Sequence, residues 1–284
     1  MKRLVAAAAL FLLAAGCTAR VDERTLIHPV KAGAVDSAAL AQAAPRYTAE
    51  QHWIDRPDGA RLHAVLLRQP GAKATILYFG GNGYAIGRFA PWTAQSFMPL
   101  GADLMIVDHR GYGLSTGTAG IAYGEEDGLA AFDYLRRLTP EPVIVHGHSM
   151  GSFIAGHVAA NRETAGAVLE SSATTTEEWV ASRTGGITGK LLRIEVDPAL
   201  KGRGNLANVA RIEEPLLIVV GGKDKTTRPV LSQRLHEASP LPAGRKRLVV
   251  VPQANHNNVM IAKSVHAAYA RLLAEATGSS PSSE

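Results

Sequence analysis

The stretch Gly147-His148-Ser149-Met150-Gly151 places a serine between two glycines, after the apolar run 142–146 and before a second apolar segment. A buried strand that leads through a sharp turn into a helix is the setting of a nucleophile elbow. The turn is strained, so its flanking positions must be small, and the serine lies at the positive end of the helix. We therefore expect Ser149 to be a nucleophile, and the alternative is a structural Gly-Ser turn.

A serine nucleophile needs a base, and His256 is the best placed of the ten histidines. It follows the last apolar run, 248–251, and precedes a closing helix, which matches the chain order of serine, acid and histidine in this type of site. His146 and His148 flank the serine too closely to act as its base. They also lack a third ligand at metal-binding spacing, so we expect no metal site.

The acid that orients the histidine is expected to be Asp224, which follows the apolar run 215–220 and precedes His256 by 32 residues. An alternative for Asp224 is a helix N-cap, because Thr226 and Thr227 could start the helix that follows. Glu170 is the second choice as acid. It ends the strand after the elbow helix, from which a carboxylate could also reach the histidine.

The oxyanion of an acyl-transfer reaction needs two preorganised amide donors. We expect one to be the N–H of Met150, directly after the nucleophile. The other is expected in the loop 80–83, of sequence Gly-Gly-Asn-Gly, as the N–H of Asn82. Glycines allow the backbone to approach a substrate closely. The alternative is a tight turn that binds nothing.

Around this motif, strands alternate with helices. We predict strands at 62–67, 74–79, 103–107, 142–146, 167–169, 215–220 and 248–251, and helices at 90–97, 125–138, from the elbow to about 160, 230–238 and 257–276. Continuous apolar strands that alternate with helices indicate an α/β fold with a mostly parallel sheet and helices on both faces. Ligands bind such sheets at the carboxyl ends of the strands, so the polar clusters above should converge.

These motifs, with the segment 108–117, resemble the α/β-hydrolase superfamily over about residues 50–275. Its single-domain esterases, thioesterases and serine-aminopeptidase-like hydrolases are the most similar branch, which often has histidine where Gly80 stands. The resemblance implies acyl transfer without a cofactor on a small-molecule ester or acyl substrate, and a structural role for the loop with Asp108 and His109. Peptidase or amidase action on the same triad is the first alternative. A non-catalytic, envelope-anchored binding protein is the second.

The domain is expected to span 51–277, with a small cap at about 172–212 and a disordered tail at 278–284. The cap segment has no strong strand, and its apolar residues, such as Trp179 and Leu191, could line a ligand site or form a small core. Residues 18–50 lack clear periodicity. We expect 17–50 to be a lipid-attached tether and a first segment that packs on the domain.

The amino terminus has the pattern of a secretory signal peptide, with Lys2 and Arg3 before the apolar run 4–15. Its end resembles the bacterial lipobox, although Leu13 lies one position early. This resemblance implies cleavage after residue 16, lipid on Cys17 and anchoring in the bacterial cell envelope, on the periplasmic side in a Gram-negative cell. A plain secretion signal and an ordinary N-terminal helix are the alternatives.

Composition fits one large soluble domain, with 46% hydrophobic and 19% charged residues. Cys17 is the only cysteine, so no intramolecular disulfide can form. The net charge of +5 falls to about +3 when residues 1–16 are removed. Basic residues are scattered apart from the run 245–247, which leads into a strand. We therefore expect no nucleic-acid partner, and a membrane contact only through the anchor.

Overall fold

The computed structural model describes residues 18–184 and 193–279. The strands in these ranges are β1 Thr18–Val21, β2 Thr48–Asp55, β3 Arg61–Arg68, β4 Thr75–Phe79, β5 Asp103–Val107, β6 Val143–His148, β7 Gly166–Glu170, β8 Arg193–Val196, β9 Leu216–Gly221 and β10 Lys246–Val251. The α-helices are α1 Glu23–Leu26, α2 Ser37–Ala43, α3 Ile86–Phe97, α4 Ile121–Leu138, α5 Met150–Ala159, α6 Thr176–Thr184, α7 Leu206–Val209, α8 Pro229–Ala238 and α9 Lys263–Thr277.

Eight strands form the central sheet, in the order β2-β3-β5-β4-β6-β7-β9-β10. The six strands from β5 to β10 in this order are parallel, and β3 is antiparallel to both β5 and β2. The predicted mostly parallel sheet is confirmed. Because parallel strands end at the same edge, the turns that follow β4, β6, β9 and β10 meet there.

Helices cover both faces of the sheet, as predicted. Within β4 alone, Ile76 and Tyr78 pack in the cluster that includes α2, α3 and α9, whereas Leu77 and Phe79 pack against α4 and α5. Successive strand side chains point to opposite faces, so a strand buried on both faces must be apolar at every position. This explains why the central strands read as continuous apolar runs.

Three predicted helix starts move by four to six residues: those of α3, of the closing helix and of α4, which begins at Ile121 rather than 125. Helix α3 begins at Ile86 rather than at about 90, since the carboxylate of Asp108 accepts the Ile86 N–H at 2.8 Å. The closing helix begins at Lys263 rather than 257. Before it, the side chain of Asn258 accepts the N–H of Asn255 at 2.8 Å and fixes a turn around His256.

The expectation that 172–212 contains no strong strand is wrong, because β8 lies within it. Strand β8 pairs in parallel with β1, which lies in the segment 18–50 that lacked periodicity. Each strand has only four residues, and its hydrogen-bond partner lies 175 positions away, so no local pattern reveals either one. The predicted boundary at residue 50 also falls inside β2, which belongs to the central sheet.

Residues 18–31 are here called the strap. The strap consists of β1, the short helix α1 and the residues that follow, and it runs across the carboxyl edge of the sheet. The predicted signal peptide, Cys17, part of the predicted cap (185–192) and the last five residues lie outside the described ranges. Within those ranges, no helix combines the length and apolar character needed to cross a membrane.

Candidate active site

Ser149 lies in a strained turn between β6 and α5, as the elbow motif predicts. Its φ of 52° and ψ of −117° are unusual for a residue with a side chain. The Ser149 N–H donates to the carbonyl of Glu170 at 2.8 Å, which holds the turn against β7. A Cβ on Gly147 would lie 2.1 Å from the Gly151 oxygen, and one on Gly151 would lie 2.1 Å from the Phe79 oxygen. Both flanking positions therefore require glycine.

The structure brings Ser149, His256 and Asp224 into one chain of hydrogen bonds. His256 Nε2 lies 2.9 Å from Ser149 Oγ, and its Nδ1 lies 2.8 Å from Asp224 Oδ2. The three side chains come from the turns after β6, β10 and β9. This arrangement allows the imidazole to take the serine proton while the carboxylate fixes its tautomer and orientation.

Asp224 is buried and its carboxylate is fully engaged. Oδ1 accepts the N–H groups of Thr226 and Thr227 at 2.8 and 2.9 Å, and the Thr227 hydroxyl donates to Oδ2 at 2.9 Å. Burial opposes ionisation, but the hydrogen bond from His256 and these amide donors hold the pKa of Asp224 below its usual value. The N-cap alternative does not hold, since α8 begins at Pro229 with Arg228 as its N-cap.

Glu170, the second choice as acid, pairs with a different histidine. Its Oε2 lies 3.0 Å from His146 Nε2, and both side chains are buried. Burial alone would raise the pKa of Glu170, but the electrostatic interaction with His148 and the hydrogen bond with His146 lower it below its usual range. His256 Nδ1 instead faces Asp224 and the Thr227 hydroxyl. Asp224 is therefore the carboxylate placed to orient His256.

The two predicted oxyanion donors, Asn82 and Met150, line the same cavity as Ser149. No described residue accepts a hydrogen bond from either backbone N–H. The loop before Asn82 comes close because Gly81 lacks a side chain: a Cβ there would lie 2.8 Å from His148 Nδ1 and 3.4 Å from Ser149 Cβ. This placement is compatible with an oxyanion hole, and the roles of these amides stay predictions.

His109 holds the loop 80–83, a contact that the sequence did not reveal. Its Nε2–H donates to the Gly80 carbonyl at 2.7 Å. Asp108 accepts from Ile86, as described above, and lies 2.9 Å from His63 Nδ1. Both side chains are buried structural groups. Across the described residues, no cluster of three or more His, Cys, Asp or Glu side chains could hold a metal ion.

The side chain of Asn82 fastens the strap over the site. Its Oδ1 accepts the His28 N–H and the Tyr112 hydroxyl, each at 2.8 Å, and its Nδ2 donates to the Leu26 carbonyl at 2.5 Å. At a second point, Glu23 Oε1 accepts the N–H of Ile121 at the start of α4 at 2.9 Å. The strap is therefore fixed both to the loop 80–83 and to helix α4, which borders the site.

A cavity of about 340 Å³ opens above Ser149. The strap supplies one wall through residues 25–28, and α6 in the predicted cap supplies another through Thr176, Trp179 and Arg183. Trp179 is fixed because its Nε1–H donates to the Thr226 carbonyl at 2.8 Å. Sequence reasoning missed the strap as a wall, because an irregular segment gives no periodic signal that would place it over a distant turn.

Comparison with known proteins shows similarity to hydrolases. A family model described as "Serine aminopeptidase, S33" matches residues 70–196, less than half of the chain. The chain is 28% identical to protein Rv2307c of Mycobacterium tuberculosis over 84% of its length and 81% of that protein. It is 25% identical to the α/β-hydrolase domain-containing protein WAV2 of Arabidopsis thaliana, over 76% of its length and 74% of WAV2. The esterase Pf2001 of Pyrococcus furiosus superposes with a TM-score of 0.67 at 16% identity, over 88% of this chain and 98% of the esterase.

Proposed function

Because the chain belongs to the α/β-hydrolase superfamily, we propose that it is a serine hydrolase that cleaves carboxylic ester or thioester bonds. The observation that carries the proposal is the Ser149–His256–Asp224 hydrogen-bond chain at the floor of an open cavity. Fold likeness alone does not assign an activity, so the proposal is based on the side chains of the site. The proposed steps use protein groups alone.

In the proposed reaction, Ser149 Oγ attacks the substrate carbonyl carbon while His256 Nε2 takes the hydroxyl proton. The amides of Met150 and Asn82 hold the oxyanion, and Asp224 stabilises the imidazolium. Collapse of the tetrahedral intermediate breaks the bond to the alcohol or thiol, which receives the proton from Nε2. Water then attacks the acyl-enzyme with Nε2 again as base, which releases the carboxylic acid and returns the proton to Ser149.

A panel of nitrophenyl esters of increasing acyl length, run beside the matching nitroanilides, tests this proposal. We expect ester turnover with a maximum at short or medium chains, because the cavity of about 340 Å³ limits the acyl group. Turnover is followed as release of the chromophore. A maximum at very long chains would contradict the size argument, and absence of ester turnover would contradict the proposed reaction.

Peptidase or amidase action is a second candidate, supported by the description of the matching family model. The same triad can attack an amide, whose amine leaving group must be protonated by His256. The nitroanilide arm of the panel separates the two: anilide turnover that equals or exceeds ester turnover would favour this second candidate.

We also propose that the mature chain is a lipoprotein held on the bacterial envelope through Cys17. The lipobox-like sequence supports this proposal. Replacement Cys17→Ser removes the sulfur that would carry the lipid, and stable anchoring depends on two or more acyl chains. The variant is therefore expected to move mostly from the membrane fraction to the soluble fraction. Immunoblotting of the fractions measures the change. Retention of the variant in the membrane fraction would contradict a lipid anchor on this residue.

A further inference from the structure

The cavity above Ser149 has two chemically different sides. On the side of Met150, its lining is apolar, from Ile27, Ile121 and Phe153. A narrow crevice continues this side between the strap, α4 and α5, and it is lined mainly by apolar surface. On the side of the Asp224–His256 pair, the lining consists of Trp179, Thr226, Thr227 and Arg183 in place of aliphatic side chains.

Arg183 lines this second side of the cavity and is exposed, and it has no counterion among the residues that the structure describes. Its guanidinium carbon lies 5.2 Å from the centroid of the Trp179 ring, and Trp179 is itself fixed by its bond to Thr226. This contact holds the guanidinium over the indole face. No residue described as lining the cavity is Asp or Glu, and no described carboxylate forms an ion pair with Arg183.

The neighbouring loop adds to the same positive field. Lys225 and Arg228 flank the cavity-lining pair Thr226-Thr227, and both are exposed. Neither makes an ion pair within the described ranges. Uncompensated cations around a cleft attract anionic ligands and raise their local concentration. The rim on this side of the cavity therefore favours a negatively charged group.

The reaction geometry decides which part of a substrate lies on each side. The leaving-group atom must lie near His256 Nε2, from which it takes a proton. Thr227 contacts His256 at Nδ1, with its hydroxyl 3.2 Å away, and Trp179 is bonded to the neighbouring Thr226, so the Trp179–Arg183 side is the side of the cavity next to His256. We therefore assign the leaving group to this side. The side of Met150 and Phe153 is left for the acyl chain.

From this we infer that Arg183 selects substrates whose leaving group carries an anion, a carboxylate or a phosphate, while an apolar acyl chain lies against the apolar side of the cavity, beside Phe153. The inference rests on the proposed esterase activity and narrows it to a class of substrates: apolar acyl esters or thioesters of anionic alcohols or thiols. Helix α6, in the predicted cap, then acts as the element that determines specificity.

Two hexanoate esters test this inference: the nitrophenyl ester and its analogue with a carboxylate on the phenyl ring. The readout is the ratio of kcat/KM for the carboxylated ester to that for the neutral one. Replacement Arg183→Ala is expected to lower this ratio about fivefold, the size expected for an exposed ion pair. Arg183→Glu should lower it further, and Arg183→Lys should retain part of it. The matched control is Arg271→Ala on α9, another exposed arginine, which should leave the ratio unchanged.

Two further arms sharpen the test. In the first arm, a phosphate replaces the ring carboxylate. The anion whose ester has the higher kcat/KM, relative to the neutral ester in the parent chain, is the one that the site prefers. Added salt should lower the ratio more in the parent than in Arg183→Ala, since exposed charges are screened and Lys225 and Arg228 remain in the variant. A ratio unchanged in both Arg183→Ala and Arg183→Glu would overturn the inference. So would an effect seen instead with the nitrophenyl monoester of adipate, whose anion lies on the acyl side. Failure of the parent to hydrolyse any ester would overturn the proposed function itself.

Discussion

Replacement Ser149→Ala is expected to lower kcat for a good ester by on the order of 10⁴- to 10⁶-fold, since removal of the nucleophile leaves only binding and the oxyanion hole. Covalent labelling by a fluorophosphonate should disappear in the same variant. Ser149 Oγ lies 2.9 Å from His256 Nε2, and no other hydroxyl in the described ranges bonds to that nitrogen, since the Thr227 hydroxyl faces Nδ1. Single-turnover kinetics and labelling measured by mass spectrometry check both parts.

The matched control is Ser264→Ala, which removes an exposed hydroxyl from α9, away from the site. It should keep both turnover and labelling. Thermal unfolding of each variant shows that the fold is retained. Labelling that persists in Ser149→Ala, or a loss of less than tenfold in kcat, would show that the nucleophile lies elsewhere. Absence of both labelling and turnover in the parent chain would favour the non-catalytic binding role.

The second large effect is expected at Asp224. Replacement Asp224→Asn should lower kcat/KM by on the order of 10⁴-fold, because an amide cannot stabilise the imidazolium and favours the wrong tautomer. Glu170→Gln should lower it by about tenfold or less, since that carboxylate bonds His146 rather than His256. Steady-state kinetics on one ester with both variants compares two buried carboxylates at the same edge of the sheet.

The unfolding temperatures of both variants must accompany these rates. The pKa of each carboxyl lies below its usual value, so each contributes stability above its unfolded pKa that is lost as the pH falls through its folded pKa. Replacement of either carboxylate should make the free energy of unfolding fall less steeply as the pH is lowered. If Glu170→Gln, still folded at the assay temperature, lost as much activity as Asp224→Asn, the assignment of the acid would have to be exchanged.

Much of the fold and the site could be predicted because their signals are local. The glycines around Ser149 are required by contacts shorter than 2.6 Å for any added Cβ, and such a requirement is visible in the motif itself. Strands β4, β5 and β9 are buried along their whole length, so their sequences contain few polar positions. His256 could be found because it follows the last strand of the sheet.

The features that sequence reasoning missed depend on partners far away in the chain. Asp108 and His109 lie in the turn after β5. Asp108 fixes the start of α3, and His109 holds the loop 80–83. The strap becomes a wall of the cavity through the side chain of Asn82, which a motif reading assigns only a backbone role. Hydrogen bonds of this kind leave no periodic pattern in either segment.

The pairing of β1 with β8 has a consequence for biogenesis. Strand β1 precedes the central sheet in the chain, yet its partner is residues 193–196, so this pair cannot form until most of the chain has emerged. Contacts this distant in sequence form late, because loop-closure entropy must be overcome first. Completion of the cavity wall above Ser149 is thereby coupled to synthesis of residues 193–196: a nascent or C-terminally truncated chain can fold around β4 and β6 and still lack the strand pair that holds the start of the strap.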